Sequence, residues 1–132
     1  MDKETRWKQR FNNFNSAFHR LKSAVERIEE LDDLAREGLV QRFEYTFELA
    51  WKTIKDFLES KGEPEKYQRD IIKKAFQLEI IDQGELWLEM LENRNLMSHT
   101  YNQSTFETVV DLIHNKYFPE ISKLVKFFQS EL

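Results

Sequence analysis

A polar stretch at residues 92–102 gathers the side chains in this sequence that are best suited to chemistry. All but two of its residues are polar or ionisable, and it holds one of only three histidines. Arg94 and His99 suit a phosphodiester, because a planar guanidinium binds phosphate through two hydrogen bonds and an imidazole moves protons near neutral pH. His99 could take the proton of a ribose 2′-hydroxyl or give one to the leaving oxygen, and Asn95 could hold the phosphate or orient the imidazole.

The spacing of Arg94 and His99 predicts that this group lies at the end of a helix. Five residues on an ideal helix turn through about 140° and rise about 7.5 Å, so the two side chains share a face only if the helix ends near Ser98. Beyond that point, an extended backbone puts His99 and Tyr101 on the same side of the chain. We therefore expect Arg94 in the last helical turn and the other two just past it. Two such groups could face each other across a symmetric dimer.

Spacing alone also permits a plainer interpretation of Arg94 and His99. An arginine and a histidine five residues apart occur in many unrelated proteins, so the pair by itself is weak evidence for catalysis. Both side chains could cap the helix end and form ion pairs, and Glu92 is near enough in the sequence to be the partner of Arg94. Catalysis and helix-end capping both stay open at this point.

The other two histidines favour structural roles. His19 and His114 lie in helical segments with no His or Cys partner nearby, which is typical of surface or core-edge histidines. No H-x-x-x-H or E-x-x-H spelling occurs in the chain, so the sequence predicts neither a metal site nor a cofactor.

Two further features could suggest nucleic-acid binding, but each has a simpler explanation. The charge runs at residues 61–66 and 69–74 are interpreted as solvated helix faces rather than as a nucleic-acid patch. Trp7, Trp51 and Trp87 are expected to anchor the core or an interface rather than to form a base-stacking platform.

Composition limits the kind of protein that carries this stretch. A length of 132 residues predicts one domain spanning 1–132, and the absence of cysteine excludes disulfide scaffolds and thiol catalysis and suits a reducing cytosol. Three glycines and two prolines are too few for the turns of a β-sandwich or barrel. The net charge of −4 argues against nucleic-acid binding by the surface as a whole. With no apolar run of membrane-spanning length and no signal-peptide stretch, the sequence predicts a cytoplasmic protein without a membrane partner.

Apolar residues recur at helical spacing along most of the chain. The first helix carries a heptad stripe made of Trp7, Phe11, Phe14, Phe18, Leu21, Val25 and Ile28. A second helix is predicted from about residue 34 to 60, with Phe43, Phe47 and Phe57 facing the core. The third is split into residues 67–81 and 85–98, and the fourth should be interrupted near Tyr117 because Pro119 lacks an amide donor. The sequence predicts an all-α, up-and-down four-helix bundle with a split third helix.

Two stretches of this sequence resemble the HEPN superfamily, and in particular its nucleotidyltransferase substrate-binding proteins, which include the HepT-type toxins. The superfamily signature is an Arg, four to six residues of which the first is often polar, a His, any residue and a Tyr. Arg94, His99 and Tyr101 match it in full, with Asn95 as the polar residue. Residues 40–52 resemble the second-helix segment of the same subgroup, and the likeness extends over nearly the whole chain.

The resemblance implies a homodimeric bundle whose partner is a small nucleotidyltransferase encoded nearby. In HepT-like members, the Arg and His form a metal-independent endoribonuclease site in the dimer cleft. The partner antitoxin blocks this site, in some systems by adding AMP to the motif's Tyr. Carried over to this chain, Arg94 would stabilise the scissile phosphate, His99 would act as acid and base, and Tyr101 would be modified. Asn95, Ser98 and Tyr101 would bind or support the substrate or nucleotide.

Two other roles stay open beside that of a ribonuclease toxin. The older family name implies a non-catalytic subunit that binds substrate or nucleotide for the nucleotidyltransferase. The acidity of the chain favours this role, because RNA binding needs a local basic patch that the sequence scarcely shows. The third interpretation is a structural dimerisation bundle in which Arg94 and His99 belong to a salt-bridged helix end.

Overall fold

Helices make up almost all of the described chain. The computed structural model describes the backbone of residues 1–97 and 103–132, and the side chains of residues 1–94 and 105–132. The helices are α1 (Lys3–Glu26), α2 (Asp33–Ser60), α3 (Gln68–Gln77), α4 (Gly84–Met97), α5 (Gln103–Leu112) and α6 (Phe118–Glu131). The predicted all-α bundle with a split third helix is confirmed, since α3 and α4 are the two halves of the third element. None of the helices in the described ranges is long and apolar enough to cross a membrane.

The first two helices begin at aspartate caps. The Thr5 amide donates to the Asp2 carboxylate at 2.7 Å, and the Ala35 amide donates to the Asp32 carboxylate at 2.8 Å. Each bond satisfies an amide that has no partner within its helix, and the bond from Thr5 lowers the pKa of Asp2. The connection at residues 31–33 contains two aspartates, a residue type that favours helix N-caps, and the structure places the cap of the second helix at Asp32.

The third helix ends earlier than its apolar pattern predicts. Helix α3 stops at Gln77, and Glu79 follows with a φ of 60°, the left-handed conformation in which a helix is commonly closed. The Ile80 amide then donates to the Ala75 carbonyl at 2.9 Å. This turn brings Ile80 and Ile81 back against the core, where each is 6% exposed. The two isoleucines carry the apolar pattern past the end of the helix, which explains why the predicted boundary at residue 81 was wrong.

The core lies between the long helices and is rich in aromatic rings. The expected inward-facing residues of α1 and α2 are all at most 5% exposed: Phe11, Phe14, Phe18, Phe43, Phe47 and Phe57. Trp7 and Trp87 are fully buried, as expected. Trp51 is only partly buried, which separates it from the other two tryptophans.

The last helical segment is interrupted where Pro119 predicts it. Between α5 and α6, residues Ile113–Tyr117 form a wider π-helical turn, in which the Phe118 amide donates to the Ile113 carbonyl five residues back. Proline has no amide hydrogen and crowds the preceding turn, so the regular α-helical bonding pattern gives way here. The wider turn leaves Tyr117 fully buried, facing α4.

Candidate functional site

Arg94 lies in α4, three residues before Met97, the last residue for which the structure describes this helix. Its Nη1 donates to Glu48 Oε2 at 2.5 Å, and its Nη2 donates to Gln68 Oε1 at 3.1 Å. Glu48 belongs to α2 and Gln68 to the first turn of α3, so three helices meet at one guanidinium. The Arg94 side chain is 20% exposed, which leaves it accessible from solvent while most of it is packed.

Glu48 is held in place by a second donor. Trp51, one turn further along α2, donates its indole Nε1–H to the same carboxylate oxygen at 2.9 Å. A carboxylate that accepts from two directions has little freedom to rotate, and it therefore fixes the plane of the Arg94 guanidinium. Charge-assisted hydrogen bonds of this kind are shorter and stronger than neutral ones.

The carboxylate expected to pair with Arg94 has a different partner. Glu92 accepts two hydrogen bonds from Arg69 of α3, at 3.2 and 3.0 Å. The sequence-based pairing of Glu92 with Arg94 is therefore wrong, and Glu48 of α2 takes that place. The reason is that residues two apart on a helix point in different directions, whereas α2 and α3 both pack beside the end of α4.

A second polar network fixes α4 from its other side. The buried Tyr117 hydroxyl donates to Glu89 Oε2 at 2.8 Å and accepts from Asn93 Nδ2 at 2.8 Å. Burial raises the pKa of Tyr117 well above its usual range, and the hydrogen bond to Glu89 raises it further. Tyr117 therefore stays protonated and keeps donating at any ordinary pH. Because Asn93 precedes Arg94, this network also fixes the helical turn that carries the guanidinium.

The structure describes only part of the predicted site. Ser98, His99 and Tyr101 lie outside the described residues, and Asn95 is described only as part of the α4 backbone. Among the predicted site residues, Arg94 is therefore the one whose side-chain contacts the structure describes. The two remaining histidines, His19 and His114, are exposed, in agreement with a surface role.

Sequence reasoning missed the residues that position Arg94. Glu48 and Trp51 lie within residues 40–52, the second stretch that carries the family resemblance, so a signal was present for both. Asn93 belongs to the polar stretch 92–102, but nothing in its spacing indicated Tyr117 as its partner. Gln68 had no sequence signal, since its role depends on how α3 packs against α4.

Comparison with known proteins places this chain in a family. The family described as "Nucleotidyltransferase substrate binding protein like" matches residues 9–130. The chain belongs to this family. The predicted membership of the nucleotidyltransferase substrate-binding family is thereby confirmed, and the family description links the chain to a nucleotidyltransferase.

Relatives of the nucleotidyltransferase substrate-binding family share both sequence and fold with this chain. Probable ribonuclease HepT from Haemophilus influenzae is 26% identical over 111 residues, which cover 73% of this chain and 76% of that protein. A solved structure from Thermus thermophilus is 26% identical with a TM-score of 0.74, covering 89% of this chain and 97% of that one. HI0074 from Haemophilus influenzae, described as the substrate binding domain of a nucleotidyltransferase, is 25% identical with a TM-score of 0.76, covering 88% and 96%.

Proposed function

We propose that this chain is the HEPN subunit of a toxin–antitoxin pair and cleaves RNA without a metal ion, in the cleft of a homodimer. The observation that carries the proposal is the placement of Arg94, held at the end of α4 by Glu48 and Gln68. The motif match at His99 and Tyr101 and the similarity to Probable ribonuclease HepT support it. The absence of cysteine suits a cytoplasmic location.

The proposed reaction needs one positioned cation and one group that moves protons. An imidazole of His99 takes the proton of the ribose 2′-hydroxyl, and the resulting oxygen attacks phosphorus. The bond from phosphorus to the 5′ oxygen breaks, and that oxygen takes a proton from a protonated imidazole. The products are a 2′,3′-cyclic phosphate and a 5′-hydroxyl. Arg94 stabilises the negative charge that develops on the phosphate oxygens, while Asn95 and Ser98 support the bound strand.

The proposed partner is a small nucleotidyltransferase that acts as the antitoxin. It would transfer AMP from ATP to the Tyr101 hydroxyl and release pyrophosphate, with the hydroxyl proton passing to solvent. An AMP group beside Arg94 and His99 would block the cleft both by its size and by its negative phosphate. Mass spectrometry after incubation with the partner and ATP should find one AMP on wild-type protomers and none on Tyr101→Phe.

The decisive test of the proposal is RNA cleavage by the purified chain without its partner. We expect wild-type protein to cleave single-stranded RNA, and Arg94→Ala and His99→Ala each to lower the rate by about 100-fold or more. His114→Ala is the matched control, because His114 is an exposed histidine on the same fold. Thermal unfolding of each variant should stay close to wild type. Absence of cleavage by the wild type, or full activity in His99→Ala, would contradict the proposal.

A non-catalytic binding subunit is the second candidate function. It is favoured by the family description and by the similarity to HI0074, which is described as a substrate binding domain of a nucleotidyltransferase. In this case the chain binds a nucleotide and presents it to the partner enzyme. It predicts nucleotide binding that Arg94→Ala weakens, measured by calorimetry, together with no RNA cleavage by the wild type.

A further inference from the structure

A shallow groove runs beside Arg94 and shares Trp51 and Gln68 with the candidate site. It has a volume of about 680 Å³ and lies where α2, α3 and α4 meet. Its lining includes Trp51, Lys66, Tyr67, Gln68, Arg69 and Lys73. Three cations and two aromatic rings therefore line one groove on a chain of net negative charge.

The groove is locally cationic although the chain has a net charge of −4. Lys66, Arg69 and Lys73 line it, against a single carboxylate at Asp70. Arg69 is bound to Glu92, but among the described residues neither Lys66 nor Lys73 forms an ion pair. Two exposed ammonium groups along one groove can bind successive phosphates of a nucleic-acid strand. These cations belong to the charge runs at residues 61–66 and 69–74, for which the sequence alone favoured solvated helix faces.

Two aromatic rings in the groove are available for stacking. Tyr67 is 64% exposed and makes no side-chain capping bond at the start of α3, so the fold gains little from its ring. Trp51 is partly exposed, and its indole plane is fixed by the hydrogen bond to Glu48. The Lys66 ammonium lies 5.6 Å from the centre of the Tyr67 ring. A ring beside a cation can bind a nucleotide, because the ring stacks on the base while the cation binds the phosphate.

Gln68 connects the groove to Arg94. Its side chain lines the groove, and its Oε1 accepts the hydrogen bond from Arg94 Nη2 at 3.1 Å. A strand that follows the groove past Tyr67 and Gln68 therefore brings its next phosphates to the guanidinium. A free mononucleotide has a single base and can therefore stack on only one of the two rings that line the groove.

We propose that this groove binds single-stranded RNA and guides it to Arg94. Bases stack on Tyr67 and Trp51, while Lys66 and Lys73 bind the phosphates. The inference rests on the proposed ribonuclease function and adds to it a substrate class, single strands rather than duplexes, and a direction of approach from α3. Duplex RNA is excluded because its bases are already stacked on each other.

Binding is tested separately from cleavage by using RNA that cannot be cut. A labelled 2′-O-methyl oligonucleotide of about ten nucleotides lacks the free 2′-hydroxyl, and its affinity is measured by fluorescence anisotropy over a range of salt concentrations. We expect Tyr67→Ala to weaken binding about tenfold through lost stacking. Lys66→Glu should weaken it by about tenfold as well and reduce the dependence of the affinity on salt. Lys73→Glu serves as a second charge variant with the same expected direction.

Matched variants outside the groove are Phe76→Ala and Lys126→Glu. Phe76 is 50% exposed on the same helix as Gln68 but lines a neighbouring groove, and Lys126 is an exposed lysine of α6. Both should bind the oligonucleotide as wild type does. The inference is overturned if wild type does not bind, if the groove variants bind normally, or if the matched variants weaken binding equally.

Competing ligands and a cleavage assay distinguish this inference from binding of a mononucleotide, from binding of duplex RNA and from the ribonuclease proposal itself. AMP that competes at the same concentration as the oligonucleotide would make the ligand a mononucleotide, and equal binding of duplex RNA would remove the stacking role; either result overturns the inference. If binding depends on the groove but unmodified RNA is not cleaved, the ribonuclease proposal is overturned and the binding of RNA by the groove is supported. If Tyr67→Ala and Lys66→Glu still cleave RNA at low RNA concentration, the role of the groove in binding RNA is overturned and the ribonuclease proposal is supported.

Discussion

The aromatic cluster between α1, α2 and α6 and the polar contacts around the end of α4 are built in opposite ways. In the cluster, the ring centres of Trp7, Phe57 and Phe128 lie 5.0 to 5.6 Å apart, and each residue is at most 4% exposed. Among the described residues, even the buried Trp7 Nε1 has no hydrogen-bond partner. At the end of α4, by contrast, Arg94 donates a hydrogen bond to Glu48, and Asn93 donates one to the Tyr117 hydroxyl.

The difference shows which forces stabilise this fold and which orient its site. Burial of rings is roughly proportional to area and has no strict direction, so it contributes stability but does not aim a side chain. Hydrogen bonds contribute only about 0.5–1.5 kcal/mol net, but they weaken steeply when misaligned. We therefore expect changes in the aromatic cluster to affect unfolding, and changes near Arg94 to affect activity.

The largest expected effect is on stability, in Phe128→Ala. Phe128 is fully buried and contacts the rings of Trp7, Phe11 and Phe57, so its loss leaves a cavity that should cost about 3–5 kcal/mol of unfolding free energy. Phe127→Ala is the matched control, because Phe127 is its partly exposed neighbour and should cost much less. Chemical denaturation measures both. Equal losses of unfolding free energy in the two variants would contradict the view that the buried aromatic cluster stabilises the fold more than its exposed neighbours do.

The next effect is on activity, in Glu48→Gln. The variant loses the charge that holds the Arg94 guanidinium, so we expect kcat for RNA cleavage to fall about 10- to 100-fold with a smaller change in KM. The free energy of unfolding should change by less than about 1 kcal/mol, since the pair is partly exposed. Glu59→Gln is the control, because Glu59 of α2 bonds Arg6 at 3.5 Å, away from the site. An unchanged kcat, or an equal fall in the control, would contradict a positioning role.

A smaller effect is expected from Tyr117→Phe. Removing the hydroxyl leaves Glu89 and Asn93 without their shared partner, which should cost about 1–2 kcal/mol of unfolding free energy. Tyr45→Phe is the control, because Tyr45 is 61% exposed and its hydroxyl is open to water. Hydrogen exchange of α4 should be faster in Tyr117→Phe alone. If both variants match wild type, the network does not hold the helix end.

The smallest effect is a pH dependence that arises away from both regions, at Glu120 of α6. Glu120 is 3% exposed, and burial raises its pKa, although the nearby Lys123 opposes this. The folded state therefore binds the proton more readily than the unfolded state, so this carboxyl's contribution to stability falls as pH rises from its ordinary pKa through the raised one. The difference in unfolding free energy between wild type and Glu120→Gln should follow that trend. Glu131→Gln, an exposed carboxylate of the same helix, should show none.

Much of the fold could be predicted because its signals are local. The stripe that includes Phe11 and Phe14 gave the buried face of α1, and an aspartate before α2 gave its cap. The end of α3 could not be predicted, because Ile80 and Ile81 continue the apolar pattern after Glu79 has turned the chain. Periodicity records which residues are buried, but it does not say whether a helix or a turn buries them.

The candidate site also combines features that the sequence determines with features that only the packing of the helices determines. The residue types at Arg94 and His99, their spacing and their family resemblance are properties of the sequence by itself, and so is the helical pattern that carries the arginine. The partners of that arginine were decided by the tertiary structure alone: Glu48 lies 46 residues away and Gln68 lies 26. The groove at Tyr67 likewise exists only once α2, α3 and α4 have packed together. The physical reason is that hydrogen bonds between distant residues depend on how helices pack in three dimensions, which a one-dimensional pattern does not record.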